Sequence, residues 1–322
     1  MARLAAKRLA SAIPLLLGLL TIVFLISRLA PGDPVTLFLS PTVPAQVADE
    51  LRRQFGLDQP LLTQYLRWLS NAIQGNFGVS FSHQRPVLQV IAAFLPNTVI
   101  LALAAIVLEL VFGILLGSLA ARLHNSFIDK AVTNIGLIAY TLPTFWVGFV
   151  LLAVFAYAFG LFPSSQMHSV NSEALTRSSQ LLDLLKHLVL PACTIAIPGG
   201  AGIARYFRSS LLRVRGEEYI TVARSMGIPE RTIFLLYELP NALVPVITIF
   251  GLEIGTLLAG AIVTETMFAW PGMGRLAVMA IFSRDYPLVL GCTLVSGLVV
   301  IVGNLSADLI YSVVDPRVRV PS

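Results

Sequence analysis

The chain has 322 residues, of which 56% are hydrophobic and only 12% are charged, and its mean hydropathy is +0.82. Soluble domains carry about 25% charged residues, so this composition excludes a soluble globular protein and indicates an integral membrane protein. The net charge of +5 does not indicate nucleic-acid binding, because the basic residues are spread along the chain and are not collected on one soluble face.

Six apolar runs are long enough to cross a bilayer as helices, which takes about 20 residues. The first run, Leu9–Leu29, follows basic residues, as the apolar part of a secretory signal would. It is longer than such a signal and reaches Pro31 without a clean cleavage site, so we expect a retained helix within residues 1–30, with a cleaved signal as the alternative. The other five runs are Thr98–Ala121, Val132–Phe162, Leu188–Tyr206, Ala242–Phe268 and Leu288–Val313.

The third and fifth runs exceed the length of a simple span, and we expect them to tilt or to end in a non-helical bend. Outside the long loop that follows the first run, Lys and Arg are concentrated on the side of the two chain termini. Because loops rich in Lys and Arg stay in the cytoplasm, the N- and C-termini are both predicted to be cytoplasmic. The predicted fold class is all-α integral membrane, with six transmembrane helices.

The loop between the first two spans, residues 31–97, has helical signals of its own. Pro44 suits the first position of a helix, and apolar residues recur at helical spacing from there to Phe55. A second amphipathic stretch, residues 61–73, ends just before Gly75. We expect a small helical cap on the outer face, which packs against the membrane helices, docks an extracytoplasmic partner, or does both.

The sequence carries no enzyme signature. It has no GxxxxGK[ST] nucleotide-binding loop, no HExxH and no GxSxG. Cys193 and Cys292 lie in apolar runs, and the four histidines are scattered over different loops and helix ends, so no metal site is predicted. We therefore expect neither catalysis nor a bound cofactor in this chain. Any active transport would draw its energy from a separate subunit or from an ion gradient.

Four carboxylates fall within the apolar runs. Glu109 and Glu253 lie deepest, whereas Glu265 and Asp308 lie nearer to helix ends. An ionisable residue inside the membrane is by default a functional candidate, so Glu109, Glu253 and Glu265 are candidates for the transport pathway or an interface. A proton relay in an ion-coupled carrier is one such role. The alternative is a structural acid that is hydrogen-bonded to a neighbouring helix.

A polar island, residues 213–238, separates the fourth and fifth runs. Its first part, residues 216–226, is predicted to be a short helix, with Glu217 and Glu218 in the first turn and Arg224 near the last turn, as the helix dipole favours. Gly227 suits a left-handed C-terminal cap, and Pro229 suits the first position of a second helix. The residues predicted to form an apolar side are Tyr219, Val222, Ala223, Met226 and Ile228. The island is either a solvated linker or a helix that fits a cleft on a soluble motor.

The island resembles the coupling loop of ATP-binding-cassette (ABC) importer permeases, whose general pattern is E-A-A-x3-G-x9-I-x-L-P. The matching positions are Ala223, Gly227, Leu239 and Pro240, and the departures are Thr221, Val222 and Tyr237. The segments 217–220 and 223–227 are similar to the form found in the peptide and nickel subfamily of these permeases. Further segments with this resemblance are 31–34 (PGDP), 55–60 (FGLDQP), 77–80 (FGVS), 264–275 (TETMFAWPGMGR), 284–287 (RDYP) and 315–317 (DPR).

This resemblance implies a type I ABC importer permease, in a bacterial inner (cytoplasmic) membrane, with a helical outer loop and a cytoplasmic coupling helix. The implied partners are a second homologous permease subunit, two ATP-binding subunits, an extracytoplasmic substrate-binding protein and membrane lipid. ATP and magnesium would bind to the partner subunits. The residues implied to contact the ATPase are Glu217, Glu218, Tyr219, Ala223, Arg224, Gly227, Ile228 and Pro229.

The resemblance gives two signals about the substrate. Residues 255–262 are most similar to dipeptide permeases, whereas residues 81–88 and 280–287 are more similar to the nickel branch. We expect peptides to be the substrate, with nickel or a metal chelate as the alternative within the same architecture. An ion-coupled secondary carrier remains the rival from another class, and its uptake would depend on an ion gradient and on no ATPase.

Overall fold

The computed structural model describes residues 2–29, 50, 53, 58–247 and 262–314, with side chains from Ser11 in the first helix and up to Ser306 in the last. In these ranges the chain is helical apart from turns, loops and one isolated bridge between Val79 and Pro86. The first helices are α1 (Ala2–Leu29), α2 (Leu61–Ile73), α3 (Val87–Arg122), α4 (Phe127–Thr141) and α5 (Thr144–Leu151), which continues as a π-helix (Leu152–Ala158).

A short 3-10 turn (Ser172–Ala174) precedes the second half of the chain. The remaining helices are α6 (Arg177–Arg215), α7 (Glu218–Ser225), α8 (Glu230–Thr232), α9 (Ile262–Met267), α10 (Met273–Phe282) and α11 (Tyr286–Val314). After α8 the chain continues as a π-helix (Ile233–Glu238) and then as an α-helix through residues 239–247.

Four helices in the described part of the chain are long and apolar enough to cross a membrane: α1, α3, α6 and α11. The bent pair α4 and α5 would make a fifth span. Residues 248–261, the centre of the predicted fifth apolar run, lie outside the described residues. The count of six spans therefore stays a prediction.

The predicted third span is interrupted at Leu142-Pro143, where the helix axis bends by 108°. Leu142 has ψ 138°, which is extended backbone. Proline disfavours the helical conformation in the residue before it, and Pro143 then occupies the N-cap position of α5. The length of this run predicts a tilt or a bend at its end, but Pro143 produces the bend inside the run.

Two helices extend well beyond their apolar runs. The second run was predicted to begin at Thr98, but α3 begins at Val87 and continues through Pro96. Likewise α6 extends beyond residues 188–206 at both ends, and it remains helical at Pro191 and Pro198 within that run. Hydropathy detects only the part of a helix that is suited to lipid, so the polar extensions of α6 are not predicted by it. The extension of α3, residues 87–97, is mostly apolar, but Pro96 and Asn97 interrupt the run.

Helices α3 and α6 cross closely because small residues line their contact. A Cβ atom on Gly113 would lie 2.3 Å from Cγ2 of Ile203, and one on Gly117 would lie 2.7 Å from the carbonyl oxygen of Ala204. Without a hydrophobic force between helices in lipid, association depends on such close packing of backbones. This crossing therefore fixes α3 and α6 as one packed pair.

The helix predicted over residues 61–73 is confirmed as α2, and Gly75 follows with φ +79°. Tyr65 packs edge-on against Phe24 of α1, with ring centroids 5.2 Å apart, and its hydroxyl lies 2.7 Å from Oγ1 of Thr21. The loop helix is thus packed against a membrane helix. The preceding predicted helix, from Pro44 to Phe55, lies outside the described residues except for two isolated positions.

We predict that Gly117→Ala will destabilise the protein by about 1–3 kcal/mol, because the new methyl group overpacks the α3–α6 crossing. Gly18→Ala is the matched control, because a Cβ there meets nothing within 4 Å and Ala is the better helix former. The melting temperatures of both variants in detergent would check this. Equal or higher stability of Gly117→Ala would contradict the packing described above.

Candidate functional site

The polar island forms a short helix, α7, that lies between the end of the long helix α6 and an arm that begins at Pro229. Helix α6 ends at Arg215 with Gly216 as its C-cap, and Glu217 is the N-cap residue of α7. The helix predicted over residues 216–226 is therefore shorter, because its first residues serve as caps. Glu218 lies in the first turn of α7 and Arg224 in its last turn, as predicted.

The turn after α7 is a Schellman motif. Gly227 has φ +76°, its N–H donates to the carbonyl of Arg224 (3.0 Å), and the N–H of Ile228 donates to the carbonyl of Ala223 (3.3 Å). Only glycine adopts this left-handed conformation without steric cost. The predicted left-handed cap at Gly227 is confirmed, and it reverses the chain within two residues.

The second arm of the island begins at Pro229, which is the N-cap residue of α8. Only Glu230–Thr232 is α-helical, and the chain then widens into the π-helix over Ile233–Glu238. The wide turns come directly before Pro240, whose missing N–H removes a hydrogen bond of a regular α-helix. A π-helical segment is rare and often marks a functional site.

One face of α7 is buried against the membrane helices. Ile220 is 0% exposed and packs in a cluster with Phe207 and Leu211 of α6 and Ile233 of the second arm. Burying such a side chain contributes about 1.5–3 kcal/mol. Ala223 (5% exposed) lies in the same cluster. The helix is therefore seated on the ends of α3 and α6 and is not a free linker.

A buried carboxylate, Glu238, ties the two arms of the island together. Glu238 is 1% exposed, and its Oε2 accepts a hydrogen bond from Arg215 Nε (3.0 Å) while its Oε1 accepts one from Arg224 Nη2 (3.3 Å). Arg215 also donates to the carbonyl oxygen of Ala121 (2.9 Å) at the end of α3. Arg224 Nε donates to the exposed Glu230 (2.8 Å). One network thus joins α3, α6, α7 and the second arm.

A second ion pair fixes α4 against α6 near the same end of the bundle. Arg208 of α6 donates from Nε and Nη2 to the two carboxylate oxygens of Asp129 (2.5 and 2.7 Å), a bidentate pair. Asp129 is 3% exposed and also accepts from the backbone N–H of Asn125 (2.9 Å). Ser126 caps α4 by accepting from the N–H of Asp129. The ends of α3, α4 and α6 are therefore held together beside α7.

The outer face of α7 carries an exposed apolar stripe. Tyr219, Val222 and Met226 are 42%, 55% and 73% exposed, and they recur at i, i+3 and i+7, which places them on one side of a helix. Glu217 and Glu218 are exposed at its beginning. Partial burial and the neighbouring carboxylates Glu217 and Glu238 raise the pKa of Tyr219. The face combines apolar area with negative charge and is suited to a protein partner.

The predicted apolar side of the island is in fact two faces. Ala223 lies on the buried face, Tyr219, Val222 and Met226 lie on the exposed face, and Ile228 is half-buried at the turn. Pro229 is exposed. Spacing alone does not separate these residues, because residue 223 lies four positions after Tyr219 and only about 40° from it around the helix. The boundary between the buried and the exposed face passes between them.

The intramembrane carboxylates have different surroundings. Glu265 is 0% exposed and accepts hydrogen bonds from Thr98 Oγ1 (2.8 Å) and from the backbone N–H of Arg275 (3.0 Å) at the beginning of α10. Glu109 is 2% exposed and lies directly against Gly199 and Gly200 of α6. Both acids therefore lie in contacts between helices of this chain. Glu253 lies outside the described residues, as does the side chain of Asp308.

A buried aspartate, which the sequence pattern does not single out, joins the loop before α3 to the beginning of α11. Asp285 is 0% exposed and accepts from Ser80 Oγ (2.6 Å), from Ser82 Oγ (2.7 Å) and from the N–H of Leu288 (3.2 Å) in the first turn of α11. It joins two of the segments that carry the family resemblance, 77–80 and 284–287. An aspartate directly before an apolar helix signals an N-cap, but sequence alone does not supply its distant partners.

Comparison with known proteins identifies relatives along the whole chain. Residues 113–320 match the family described as binding-protein-dependent transport system inner membrane component, and residues 1–102 match its N-terminal part. Oligopeptide transport system permease protein AppB of Bacillus subtilis (strain 168) is 40% identical over 320 residues, 99% of this chain and 100% of that protein. Di/tripeptide transport system permease protein DppB of Pseudomonas aeruginosa (strain UCBPP-PA14) is 36% identical, over 98% of each protein.

A solved structure supports the fold. A chain of the MetNI methionine ABC transporter in an inward-facing conformation superposes with a TM-score of 0.53 at 17% identity. The match covers 70% of the present chain and 97% of that chain.

We predict that Glu238→Gln will destabilise the island by about 1–3 kcal/mol, because the buried carboxylate that accepts from the half-buried Arg215 and the exposed Arg224 becomes a neutral amide. The control is Glu230→Gln, whose exposed pair with Arg224 is worth at most about 1 kcal/mol. Hydrogen exchange of residues 216–238, measured on both variants in detergent, would compare them. Similar protection in the two variants would contradict the anchoring role of Glu238.

Proposed function

The chain belongs to the family of inner membrane components of binding-protein-dependent transport systems, and we propose that it forms half of the translocation pathway of an ATP-driven peptide importer. In this proposal α7 is the coupling helix. The observation that carries it is the arrangement of α7, whose inner face is anchored to α3 and α6 while its outer face stays exposed. The partners would be a second permease subunit, two ATP-binding subunits and an extracytoplasmic binding protein.

The proposed mechanism is rigid-body alternating access. When ATP closes the two ATP-binding subunits, their clefts would carry the α7 helices of both permeases toward each other. Because Arg224 of α7 pairs with Glu238, and Glu238 pairs with Arg215, which donates to the end of α3, the displacement would pass to the membrane helices. The pathway would then change from inward to outward opening, and the permease itself would form and break no covalent bond.

The proposed orientation follows from the same arrangement. The ATP-binding subunits are cytoplasmic in this proposal, so α7, the α6 end at Arg215 and the α3 end at Arg122 face the cytoplasm. The N- and C-termini then lie on that side as well, as the distribution of Lys and Arg favours. The membrane is a bacterial inner (cytoplasmic) membrane, and α2 lies on its outer face.

Peptides are the proposed substrate class. The names of the relatives in Bacillus subtilis and Pseudomonas aeruginosa refer to oligopeptide and di/tripeptide transport. None of these names supports the nickel alternative.

The structure also bears on the rival carrier with a proton relay. A relay needs acids that face a pathway, but Glu265 is engaged by Thr98 and by the backbone at the beginning of α10. Glu109 lies against Gly199 in the contact between α3 and α6. These positions favour structural roles for both acids. ATP-dependent uptake that persists when the proton gradient is collapsed would separate the importer from the carrier.

We predict that Met226→Glu will abolish uptake of a labelled peptide and prevent ATP-binding subunits from copurifying, because it places a charge in the apolar stripe of α7. Met226 is 73% exposed, so folding should be retained. Glu218→Lys, a charge reversal beside the stripe, should uncouple ATP hydrolysis from uptake. Val170→Glu is the control, because Val170 is 92% exposed in the loop before α6. Normal uptake by a well-expressed Met226→Glu protein would refute the assignment of α7.

A further inference from the structure

A polar pocket of about 510 Å³ lies between α1, α2 and the beginning of α11. Three arginines line it: Arg28, Arg53 and Arg67. Amide side chains, among them Asn71, contribute further polar groups, and no Asp or Glu is found among its described lining residues. A pocket with several cationic groups and no carboxylate is suited to an anion.

Two buried hydrogen-bond donors, one from Tyr286 and one from Trp68, also line the pocket. Among the described residues, neither the hydroxyl of Tyr286 nor Nε1 of Trp68 makes a hydrogen bond, although both atoms are shielded from solvent. Tyr286 is only 7% exposed. Leaving such a donor unsatisfied costs about 1–3 kcal/mol, so a ligand oxygen that accepts from it would be favoured. These donors are independent of the arginines and point to the same kind of ligand.

The pocket lies at the level of a membrane surface. The apolar span of α1 ends at Leu29, one residue after Arg28, and the span of α11 begins at Tyr286. Both residues therefore mark the same face of the membrane, whichever way the chain is oriented. Arg and Tyr at the ends of spans are suited to the headgroup region.

Helix α2 gives the pocket a wall that is itself suited to the membrane surface. Leu62, Leu66 and Ile73 are 70%, 55% and 80% exposed, whereas the adjacent side of α2 packs on α1 through Tyr65. An amphipathic helix with an exposed apolar stripe at this level is typical of helices that lie in the lipid interface. Apolar residues of α11, Pro287 and Leu290, line the pocket as well.

We propose that this pocket binds a phosphate group, and that an anionic phospholipid supplies it through its headgroup. Arg28 and Arg67 pair with the phosphate oxygens, and the Tyr286 hydroxyl and the Trp68 Nε1–H donate to oxygens of the headgroup. The acyl chains extend along the apolar residues at the beginning of α11. The site is separate from α7, and its occupation does not depend on the identity of the transported substrate.

The test is to add increasing amounts of a probe to the full-length chain in detergent and to measure the melting temperature at each concentration. The probes are phosphatidylglycerol, a diacylglycerol with the same acyl chains but no phosphate, and sodium phosphate. We expect phosphatidylglycerol to raise the melting temperature and diacylglycerol to leave it unchanged. Stabilisation by sodium phosphate alone would support a phosphate site but overturn the lipid source. Equal effects of phosphatidylglycerol and diacylglycerol would overturn the proposal.

Two variants separate binding from folding. Tyr286→Phe removes only the unpartnered hydroxyl, so it should not lower the stability of the lipid-free chain. It should weaken the affinity for phosphatidylglycerol about fivefold. Arg67→Gln should weaken the affinity for phosphatidylglycerol about tenfold. Arg85→Gln is the matched control, because Arg85 is exposed and does not line the pocket. Unchanged affinity in both Tyr286→Phe and Arg67→Gln would overturn the proposal.

Discussion

The Glu238 carboxylate lies where α3, α6, α7 and the second arm of the polar island meet, and it is almost completely buried. A buried charge is tolerated only when it is paired and hydrogen-bonded. Arg215 and Arg224 satisfy both of its oxygens, and Arg215 reaches the end of α3 at the same time. This requirement determines where the two arms of the island can lie, and it leaves the outer face of α7 open.

The same end of the bundle is held by two further constraints. Asp129 and Arg208 connect α4 with α6, and the glycines of α3 allow α6 to approach closely. A helix that is only packed by apolar contacts can slide, whereas a buried, bidentate ion pair has one favourable geometry. In the proposed importer, such connections would carry the force on α7 to helices that cross the whole membrane.

Much of the fold follows from local signals in the sequence. Hydropathy gives four of the spans in the described part of the chain, helical spacing gives α2, and Gly227 gives the left-handed turn after α7. The break at Leu142-Pro143 could also be predicted from the sequence, because proline restricts the residue before it. The length of the apolar run instead suggests a bend at its end. Hydropathy does not report the polar extensions of α6, and in α3 Pro96 and Asn97 mark an apparent start that the helix passes through.

The parts of the site that could not be predicted depend on contacts distant in sequence. Glu238 and Asp129 are ordinary charged residues at loop ends in the sequence, and only folding brings them to Arg215 and Arg208. Helical spacing does not divide the apolar residues of α7, because Tyr219 and Ala223 lie close together around the helix. Where the buried face begins depends on packing against Phe207 and Leu211. For Glu265, burial in a membrane segment suggested a pathway role, whereas its actual partners are a hydroxyl and the backbone of α10.

The central claim is that the outer face of α7 is where an ATP-binding subunit docks. It is tested most directly by placing a photo-crosslinking amino acid at Val222, illuminating membranes of the native host and identifying the adduct by mass spectrometry. A second sample with the crosslinker at the buried Ile220 is the control. We predict that Val222 will crosslink to a protein with a GxxxxGK[ST] loop and that Ile220 will crosslink only within the chain. Adducts of Val222 with lipid alone, or with no ATP-binding protein, would contradict the account.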